Sequence, residues 1–355
     1  MKTKFIELSD RSNMSKKYKR IIQKAGKLIK CGGLVAFPTE TVYGLGGDAF
    51  NPESSAKIYK AKGRPSDNPL IIHIAEEESL KKIVKEIPNT AQILMQRFWP
   101  GPLTMIFNKQ ECIPTETTGG LDTVAVRMPR HPIALDFIRA SGGFVAAPSA
   151  NQSGKPSPTI AKYVWEDMNG KIDMILSSDT VDIGVESTIV DMTTKIPVIL
   201  RPGFITKEML QEALNQEHID QVILGEETTD APKAPGMKYK HYAPKGELII
   251  IEGNEQAVIK RINQLVNAAK LAGEKTGVIS TEGMQHAYCA DVVKNLGEKE
   301  NPMENAYNLY RVLRELDDEE VTKIYSESFC TKGMGQAVMN RLLKAAGNHI
   351  EYVSK

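Results

Sequence analysis

The stretch Phe-Pro-Thr-Glu-Thr-Val-Tyr-Gly-Leu-Gly at residues 37–46 decides the fold of the first half of the chain. The apolar run at 34–37 predicts a short buried strand, which Pro38 ends because proline has no N–H for a sheet ladder. Ligands of open α/β sheets bind beyond the carboxyl ends of strands, so the hydroxyls of Thr39 and Thr41 could meet a small polar substrate. The alternative is a plain strand end whose glycines supply positive φ angles.

Short apolar runs alternate with helical patterns over roughly the first 205 residues. We predict strands at 34–37, 70–74, 103–107, 124–128, 144–147, 174–176, 188–191 and 198–201. We predict helices at 18–30, 54–62, 78–84, 90–98, 132–140 and 207–214. Many short strands in mixed order predict an α/β fold with an open, twisted, mixed sheet flanked by helices.

A change of composition near residues 225–245 predicts a linker, because Ala-Pro-Lys-Ala-Pro-Gly at 231–236 cannot form a regular element. Beyond it we predict strands at 247–251, 277–280 and 321–325, and helices at 255–271, 305–316 and 336–346. Strands that alternate with helices at this spacing predict a smaller, Rossmann-like α/β domain with a parallel sheet. We therefore divide the chain into 1–215, 216–245 and 246–355.

Composition limits the function. The 355 residues contain 45 Lys and Arg against 44 Asp and Glu, a net charge of +1. Near neutrality argues against a protein that coats nucleic acid, although it does not exclude a local basic pocket. The first residues contain no apolar signal segment, and no apolar run reaches the roughly 20 residues of a membrane helix. We therefore expect a cytoplasmic protein with no membrane segment.

The four cysteines, Cys31, Cys112, Cys289 and Cys330, lie far apart and form no C-x-x-C pair. We therefore expect neither a zinc site nor a redox motif, and we expect these thiols to be packed as small buried apolar groups. The sequence also contains no P-loop, no G-x-S-x-G nucleophile elbow and no H-E-x-x-H motif. A bound metal or an acyl-enzyme serine is therefore poorly supported.

Lys-Gly-Arg-Pro at 62–65 predicts a loop that binds phosphate. Arg64 can act as a bidentate fork and Lys62 as a point charge. The predicted strand at 70–74 would anchor this loop. The alternative is a solvated turn with ordinary surface charges, and His73 on the strand would usually be a core histidine.

The segment 148–159, Pro-Ser-Ala-Asn-Gln-Ser-Gly-Lys-Pro-Ser-Pro-Thr, is rich in hydroxyl and amide groups. Such a rigid loop can present N–H groups and hydroxyls to an anion, and Thr159 is expected to cap the helix that follows. The alternative is a disordered linker.

Two further signals are weaker. Arg127 lies in an apolar strand and must meet an acidic side chain or an anionic ligand, and Arg201 ends another strand.

The segment 234–244 has two tyrosines and a histidine, which are unusual in a spacer. It could close over a pocket as a lid, or it could simply dock on a domain through its aromatic rings.

In this order, these motifs resemble the threonylcarbamoyl-AMP synthases, the YrdC-like family, in its long two-domain form. The matching stretches are residues 37–46, 62–65, 99–104, 124–129, 147–151, 184–189, 200–203 and 235–244. The resemblance implies that 1–215 is a YrdC-like catalytic domain with a concave, positively charged cavity and that 216–245 is a linker or lid. The family's K-x-R and S-x-N signatures fall on Lys62/Arg64 and Ser149/Asn151.

The implied reaction combines L-threonine, bicarbonate or CO2, and ATP into threonylcarbamoyl-adenylate and pyrophosphate. The product serves the machinery that forms N6-threonylcarbamoyladenosine in tRNA. The ATP carries Mg2+ on its phosphates, and the protein supplies no metal site.

The resemblance also implies roles for individual residues. The catalytic residues are Lys62, Arg64, Ser149 and Asn151. L-threonine is bound by Thr39, Thr41, His73, Arg127 and Ser187. ATP is bound by Lys62, Arg64, Asn68, Thr123, Ser149, Asn151, Ser157, Arg201, His241 and Tyr242.

Two alternatives of other classes are kept. The concave basic face could instead bind double-stranded RNA or the ribosome, or add weak RNA binding to the enzyme. The chain could also be a carbamoyl-transfer domain of the hydrogenase-maturation type, but such proteins carry zinc-finger segments and this sequence has no C-x-x-C pair.

Overall fold

The computed structural model describes residues 2–8, 15–178, 181–215, 220–221, 234 and 241–354. They form two compact units. The first comprises residues 1–153, 157–182 and 186–238, and the second comprises 154–156, 183–185 and 239–355. No helix of the described residues is both long and apolar enough to cross a membrane.

A mixed sheet organises the first unit. Its strands are β1 Lys4–Glu7, β2 Val35–Phe37, β3 Gly44–Asp48, β4 Ile71–Ile74, β5 Leu103–Asn108, β6 Thr123–Arg127, β7 Phe144–Ala147, β8 Met174–Ser177, β9 Thr188–Asp191, β10 Val198–Arg201 and β11 Asp220–Gln221. They lie in the order β1-β8-β2-β3-β7-β4-β6-β5-β9-β10-β11. The sheet contains both parallel pairs, such as β4 with β6, and antiparallel pairs, such as β5 with β6.

Helices flank this sheet. They are α1 Lys16–Lys30, α2 Pro52–Lys62, α3 Asn89–Phe98, α4 Pro132–Ala140, α5 Ala161–Met168 and α6 Lys207–Leu214. Helix α1 begins at Ser15, whose hydroxyl accepts the Tyr18 N–H at 3.1 Å. Its Gly26 allows α4 to approach closely, since a Cβ there would lie 2.4 Å from the backbone of Ala140.

The second unit has a sheet in which every strand pair is parallel. Its strands are β12 Glu247–Gly253, β13 Thr276–Ser280, β14 Val292–Asn295, β15 Lys323–Glu327 and β16 Ile350–Val353, in the order β14-β13-β15-β12-β16. Its helices are α7 Glu255–Leu271, α8 Pro302–Asp318 and α9 Met334–Ala345. The predicted fold class, a mixed open sheet followed by a smaller parallel α/β unit, is confirmed.

Some local predictions were wrong. Residues 44–48 form strand β3, and the glycines at 44 and 46 are not among the positive-φ residues. Close packing explains them instead, because a Cβ on Gly46 would lie 2.8 Å from Val145. Thr159 does not cap α5, which begins after Ile160 without a side-chain cap.

The cysteines were also misplaced. Cys31, Cys112 and Cys289 are exposed, and Cys330 is partly exposed. They therefore contribute little to the core. The predicted helix at 78–84 is a 3-10 turn at Glu77–Lys82, with only Leu80 buried.

Candidate active site

The segment that follows β2 is held in shape by one hydroxyl. Thr39 Oγ1 donates to the Val42 carbonyl at 2.6 Å and lies 2.9 Å from Thr41 Oγ1. It also accepts the N–H groups of Thr41 and Val42, at 3.2 and 3.3 Å. Thr39, Glu40 and Thr41 are all buried. We call residues 39–42 the strap.

The strap reaches across the sheet to Arg127 at the end of β6. Arg127 Nη1 donates to Thr41 Oγ1 at 2.9 Å, and Nη2 forms an ion pair with Glu40 Oε1 at 2.7 Å. Arg127 Nε donates to the Gly101 carbonyl at 3.3 Å. The expectation that a buried Arg127 meets an acidic side chain is confirmed by the Glu40 contact.

A row of directly paired residues runs across the sheet through Arg127. His73 on β4 pairs with Arg127 on β6, which pairs with Thr104 on β5. Thr104 pairs with Ile189 on β9, and Ile189 pairs with Arg201 on β10. Directly paired residues share one face of a sheet, so this row places His73, Arg127 and Thr104 side by side.

The His73 ring is neutral at physiological pH. Burial, and in second place the neighbouring Arg127 charge, lowers the pKa of His73 to about 3. Its Nδ1 lies 3.1 Å from the Ile71 carbonyl, and a carbonyl can only accept, so Nδ1 carries the proton. His73 can therefore recognise a polar group without adding charge.

Ser187, just before β9, contacts two residues of the row. Its hydroxyl is 2.8 Å from Thr104 Oγ1 and accepts from Arg201 Nη2 at 3.2 Å. Arg201 Nε donates to the Ser187 carbonyl at 3.1 Å. The predicted nucleotide residue Arg201 and the predicted threonine residue Ser187 are thus direct neighbours.

A second cluster joins the end of α2 to the loop after β7. Lys62 Nζ donates to the carbonyl oxygens of Ser149 and Asn151, both at 2.6 Å. Ser149 Oγ donates to Asn151 Oδ1 at 2.6 Å, and the Ser153 N–H donates to the Lys62 carbonyl at 2.9 Å. The predicted K-x-R and S-x-N signatures therefore meet through Lys62.

The loop 64–69 is fastened by its own arginine. Arg64 donates to the carbonyl oxygens of Asn68 and Pro69, at 3.3 and 3.2 Å, and to Asn68 Oδ1. The Tyr59 hydroxyl lies 3.2 Å from the Asn68 carbonyl. Burial raises the pKa of Tyr59 to about 12, so this hydroxyl keeps its proton and acts as a donor.

Strand β4 connects the two clusters. Ile71 at its start pairs with Ala147 at the end of β7, and His73 two residues on pairs with Arg127. Two residues of strand span roughly 7 Å. The loop 148–151 and the Arg127 row are therefore close along the strand direction.

Two other predicted site residues lie further out. Ser157 Oγ donates to Glu186 Oε1 at 2.6 Å, beside Ser187. Thr123 begins β6, four residues before Arg127, which places it roughly 13 Å away along the strand.

His241 and Tyr242 belong to the second unit. The Tyr242 ring lies 5.2 Å from that of Tyr310, and Arg341 lies over it at 5.9 Å. Tyr242 therefore docks through its ring, as one of the two interpretations of this segment expected. Most of the predicted linker at 216–245 lies outside the described residues, and the role of His241 and Tyr242 at a nucleotide stays a prediction.

Ala234 is the one described residue of the proline-rich segment at 231–236. It is buried against Ile71, Ile106, Ala125 and Ile189 of the sheet. Ile71 and Ala125 are two residues from His73 and Arg127 on the same strands, so Ala234 packs on the face that carries the row.

The sequence analysis assigned no role to three residues of this site, although each lies in a stretch that matches the family. Glu40 and Glu186 are buried partners of predicted site residues, and Thr104 links Ser187 to the row. Glu40 stood within the first motif, where an acid between two threonines could have been read as the partner of Arg127. Thr104 ends the matching stretch 99–104, but its contact with Ser187 comes from strand pairing.

The site's electrostatics suit an anionic ligand. Lys62, Arg64, Arg127 and Arg201 are all at least nine-tenths buried. Buried cations need a partner charge, and the Glu40 carboxylate supplies one to Arg127. A group of three or more His, Cys, Asp or Glu side chains that could hold a metal is not found in the described part of the chain.

The open mixed α/β sheet is that of a YrdC-like domain. Residues 27–203 match the family model described as "Telomere recombination", and residues 205–347 match "Threonylcarbamoyl-AMP synthase, C-terminal domain". The chain belongs to the threonylcarbamoyl-AMP synthase family. This membership supports the synthase interpretation over the RNA-binding one.

Relatives match along the full chain. The chain is 49% identical to the threonylcarbamoyl-AMP synthase of Pyrococcus abyssi, over 93% of this chain and 95% of that protein. It is 45% identical to that of Bacillus subtilis, over 99% of each. The crystal structure of P. abyssi Sua5 complexed with L-threonine matches with a TM-score of 0.92 and 47% identity, over 99% of this chain and all of that one.

Proposed function

We propose that this chain is a nucleotidyltransferase that converts L-threonine, bicarbonate or CO2, and ATP into L-threonylcarbamoyladenylate and pyrophosphate. The observation that carries the proposal is the end-to-end similarity, at 45% and 49% identity, to two proteins named threonylcarbamoyl-AMP synthase. The buried cations and hydroxyls near one edge of the sheet support it, because the reaction brings together an amino acid and a polyphosphate.

The reaction depends on positioning of the substrates more than on covalent catalysis by the protein. The threonine amine adds to CO2 and loses a proton, forming a carbamate. A carbamate oxygen then attacks the α-phosphorus of ATP, and the bond to the β-phosphate oxygen breaks to release pyrophosphate. Such transfers depend on orientation and charge neutralisation, which Lys62, Arg64, Ser149 and Asn151 would supply.

The row on the sheet would hold threonine. Arg127 is the natural partner of its carboxylate, and the strap hydroxyls, His73 and Ser187 would meet its polar groups. The solved complex of P. abyssi Sua5 with L-threonine supports an amino-acid site in this fold.

The nucleotide would extend from the Lys62 cluster. Asn68, Thr123, Ser157 and Arg201 would complete its site, and His241 with Tyr242 would close over it. Mg2+ would be carried on the phosphate oxygens, which are its preferred ligands. The proposed catalytic domain is 1–215, the linker 216–245 and the smaller domain 246–355.

The product would pass to the machinery that forms N6-threonylcarbamoyladenosine in tRNA. An acyl-type phosphate mixed anhydride hydrolyses readily, so we place both steps in the cytoplasm. Weak RNA binding is not needed for this reaction.

Pyrophosphate release from ATP, measured with and without threonine and bicarbonate, tests the proposal. We expect release only when both are present, and much less when glycine replaces threonine, because glycine lacks the hydroxyl and methyl groups. Pyrophosphate release at the same rate with and without threonine would contradict the proposal. Mass detection of the carbamoyl-adenylate identifies the product directly.

A further inference from the structure

The Arg127–Glu40 pair has little access to solvent. The side chains are 5% and 1% exposed, and their closest atoms lie 2.7 Å apart. Both carboxylate oxygens of Glu40 and the Nη2 atom of Arg127 are buried, and none of the three makes a hydrogen bond among the described residues, so the contact between the two side chains is electrostatic. Arg127 is therefore the group that compensates the Glu40 charge.

Arg127 is held by three protein oxygens, those of Gly101, Thr41 and Glu40. They contact Nε, Nη1 and Nη2 respectively; the first two contacts are hydrogen bonds, and the Nη2 contact is an ion pair without hydrogen-bond geometry. A guanidinium has five N–H groups, so these contacts leave at least one on each terminal nitrogen. A bidentate carboxylate takes two such groups.

Glu40 also belongs to the strap. Its backbone carbonyl accepts the Asp182 N–H at 3.1 Å, and its neighbours Thr39 and Thr41 are hydrogen-bonded to each other. The Glu40 carboxylate is thus delivered to Arg127 by a segment with little freedom to move.

We propose that Glu40 is a positioning residue, which fixes the Arg127 guanidinium so that it receives the α-carboxylate of threonine. This inference rests on the proposed function. Glu40 acts through Arg127 and does not itself contact threonine. It therefore affects recognition of threonine and not of ATP.

A buried ion pair can also be purely structural, since removing one partner leaves an uncompensated charge. The two roles differ in what they change. A structural role lowers stability and affects both substrates alike, whereas a positioning role raises the KM for threonine alone.

The experiment compares Glu40→Gln and Glu40→Asp with the wild-type full chain. Steady-state pyrophosphate release gives the KM for threonine and for ATP, calorimetry gives threonine affinity, and a thermal melt reports folding. The matched control is Glu76→Gln, because Glu76 also lies 2.7 Å from an arginine, Arg139, but that pair is about half exposed.

For Glu40→Gln we expect the KM for threonine to rise about tenfold or more, with the KM for ATP within about twofold of wild type. Glu40→Asp keeps the charge and is expected to recover part of the loss. Glu76→Gln is expected to change neither KM. If Glu40→Gln does not fold, the comparison of Glu40→Asp with wild type carries the test.

A double-mutant cycle isolates the route through Arg127. We expect Glu40→Gln combined with Arg127→Gln to bind threonine no more weakly than Arg127→Gln alone. Losses that add would show that Glu40 contacts threonine itself and would overturn the inference.

An unchanged KM for threonine in Glu40→Gln, or equal rises for both substrates, would also overturn it. A wild-type chain without threonine-dependent release would instead overturn the proposed function. The two failures are therefore distinguishable.

Discussion

The Nζ atom of Lys62 lies 2.6 Å from the carbonyl oxygen of Asn151. Lys62 is the last residue of α2, and Asn151 belongs to the loop after β7, so this contact joins two segments that are distant in sequence. The ammonium group also binds the Ser149 carbonyl. The Lys62 side chain thus brings a positive charge to the site and also holds the loop 148–151 in place.

We expect Lys62→Met to reduce kcat/KM for ATP by about 100-fold or more, since it removes a charge and two charge-assisted hydrogen bonds. Pyrophosphate release at varied ATP measures this. Lys60→Met is the matched control, because Lys60 is an exposed lysine two positions before Lys62 on the same helix. A Lys62→Met enzyme within tenfold of wild type would contradict the phosphate assignment.

Much of the fold was predictable because its signals are local. Helices such as α4 and α7 were predicted at their observed bounds, since apolar periodicity and flanking residues define them. Strand β3 was missed because its glycines carry no apolar pattern, and its strand form depends on packing against Phe37 and Val145. Edge strands β14 and β16 were missed because they are only partly buried.

The site was predictable only in part. Lys62, Arg64 and Arg127 could be singled out because cations beside glycine or within an apolar strand are unusual. Their contacts with Asn151 and Glu40 could not be predicted, because they depend on the three-dimensional path of two loops. Thr104 is the clearest case, since strand register alone brings it to Ser187.

Thr104 provides a test of that register. We expect Thr104→Val to raise the KM for threonine several-fold and to lower the free energy of unfolding by about 1 kcal/mol, because the Ser187 hydroxyl loses one of its two buried partners and keeps only Arg201. Thr104→Ser keeps the hydroxyl and should remain near wild type. Equal behaviour of the two variants would show that the hydroxyl contact does not matter.

The buried His73 makes the stability of the folded chain depend on pH. Its pKa in the folded chain is about 3, below the ordinary value of 6.5, so the unfolded state binds more protons between these values. Stability therefore falls as pH decreases through about 6.5 toward 3, with a contribution of up to about 1.4 kcal/mol per pH unit.

Denaturant unfolding of wild type and His73→Gln from pH 4 to pH 7 measures this contribution. We expect the variant to show a shallower dependence by about one proton. The same slope in both proteins would mean that His73 is not the buried neutral group described here.

Tyr242 separates a lid from a spacer. The ring packs on Tyr310 at 5.2 Å and is only 5% exposed, so Tyr242→Ala should lower the melting temperature of the second unit. Truncation of a buried aromatic side chain costs about 3–5 kcal/mol. Tyr242→Phe keeps the ring and is the matched control for this loss.

If residues 241 and 242 close over ATP as proposed, Tyr242→Ala should also weaken ATP binding and slow pyrophosphate release by about tenfold. Calorimetric ATP affinity and the release rate, measured below the melting transition, check this. An alanine variant that is less stable but binds and turns over ATP like wild type would show that the segment is only a docked spacer.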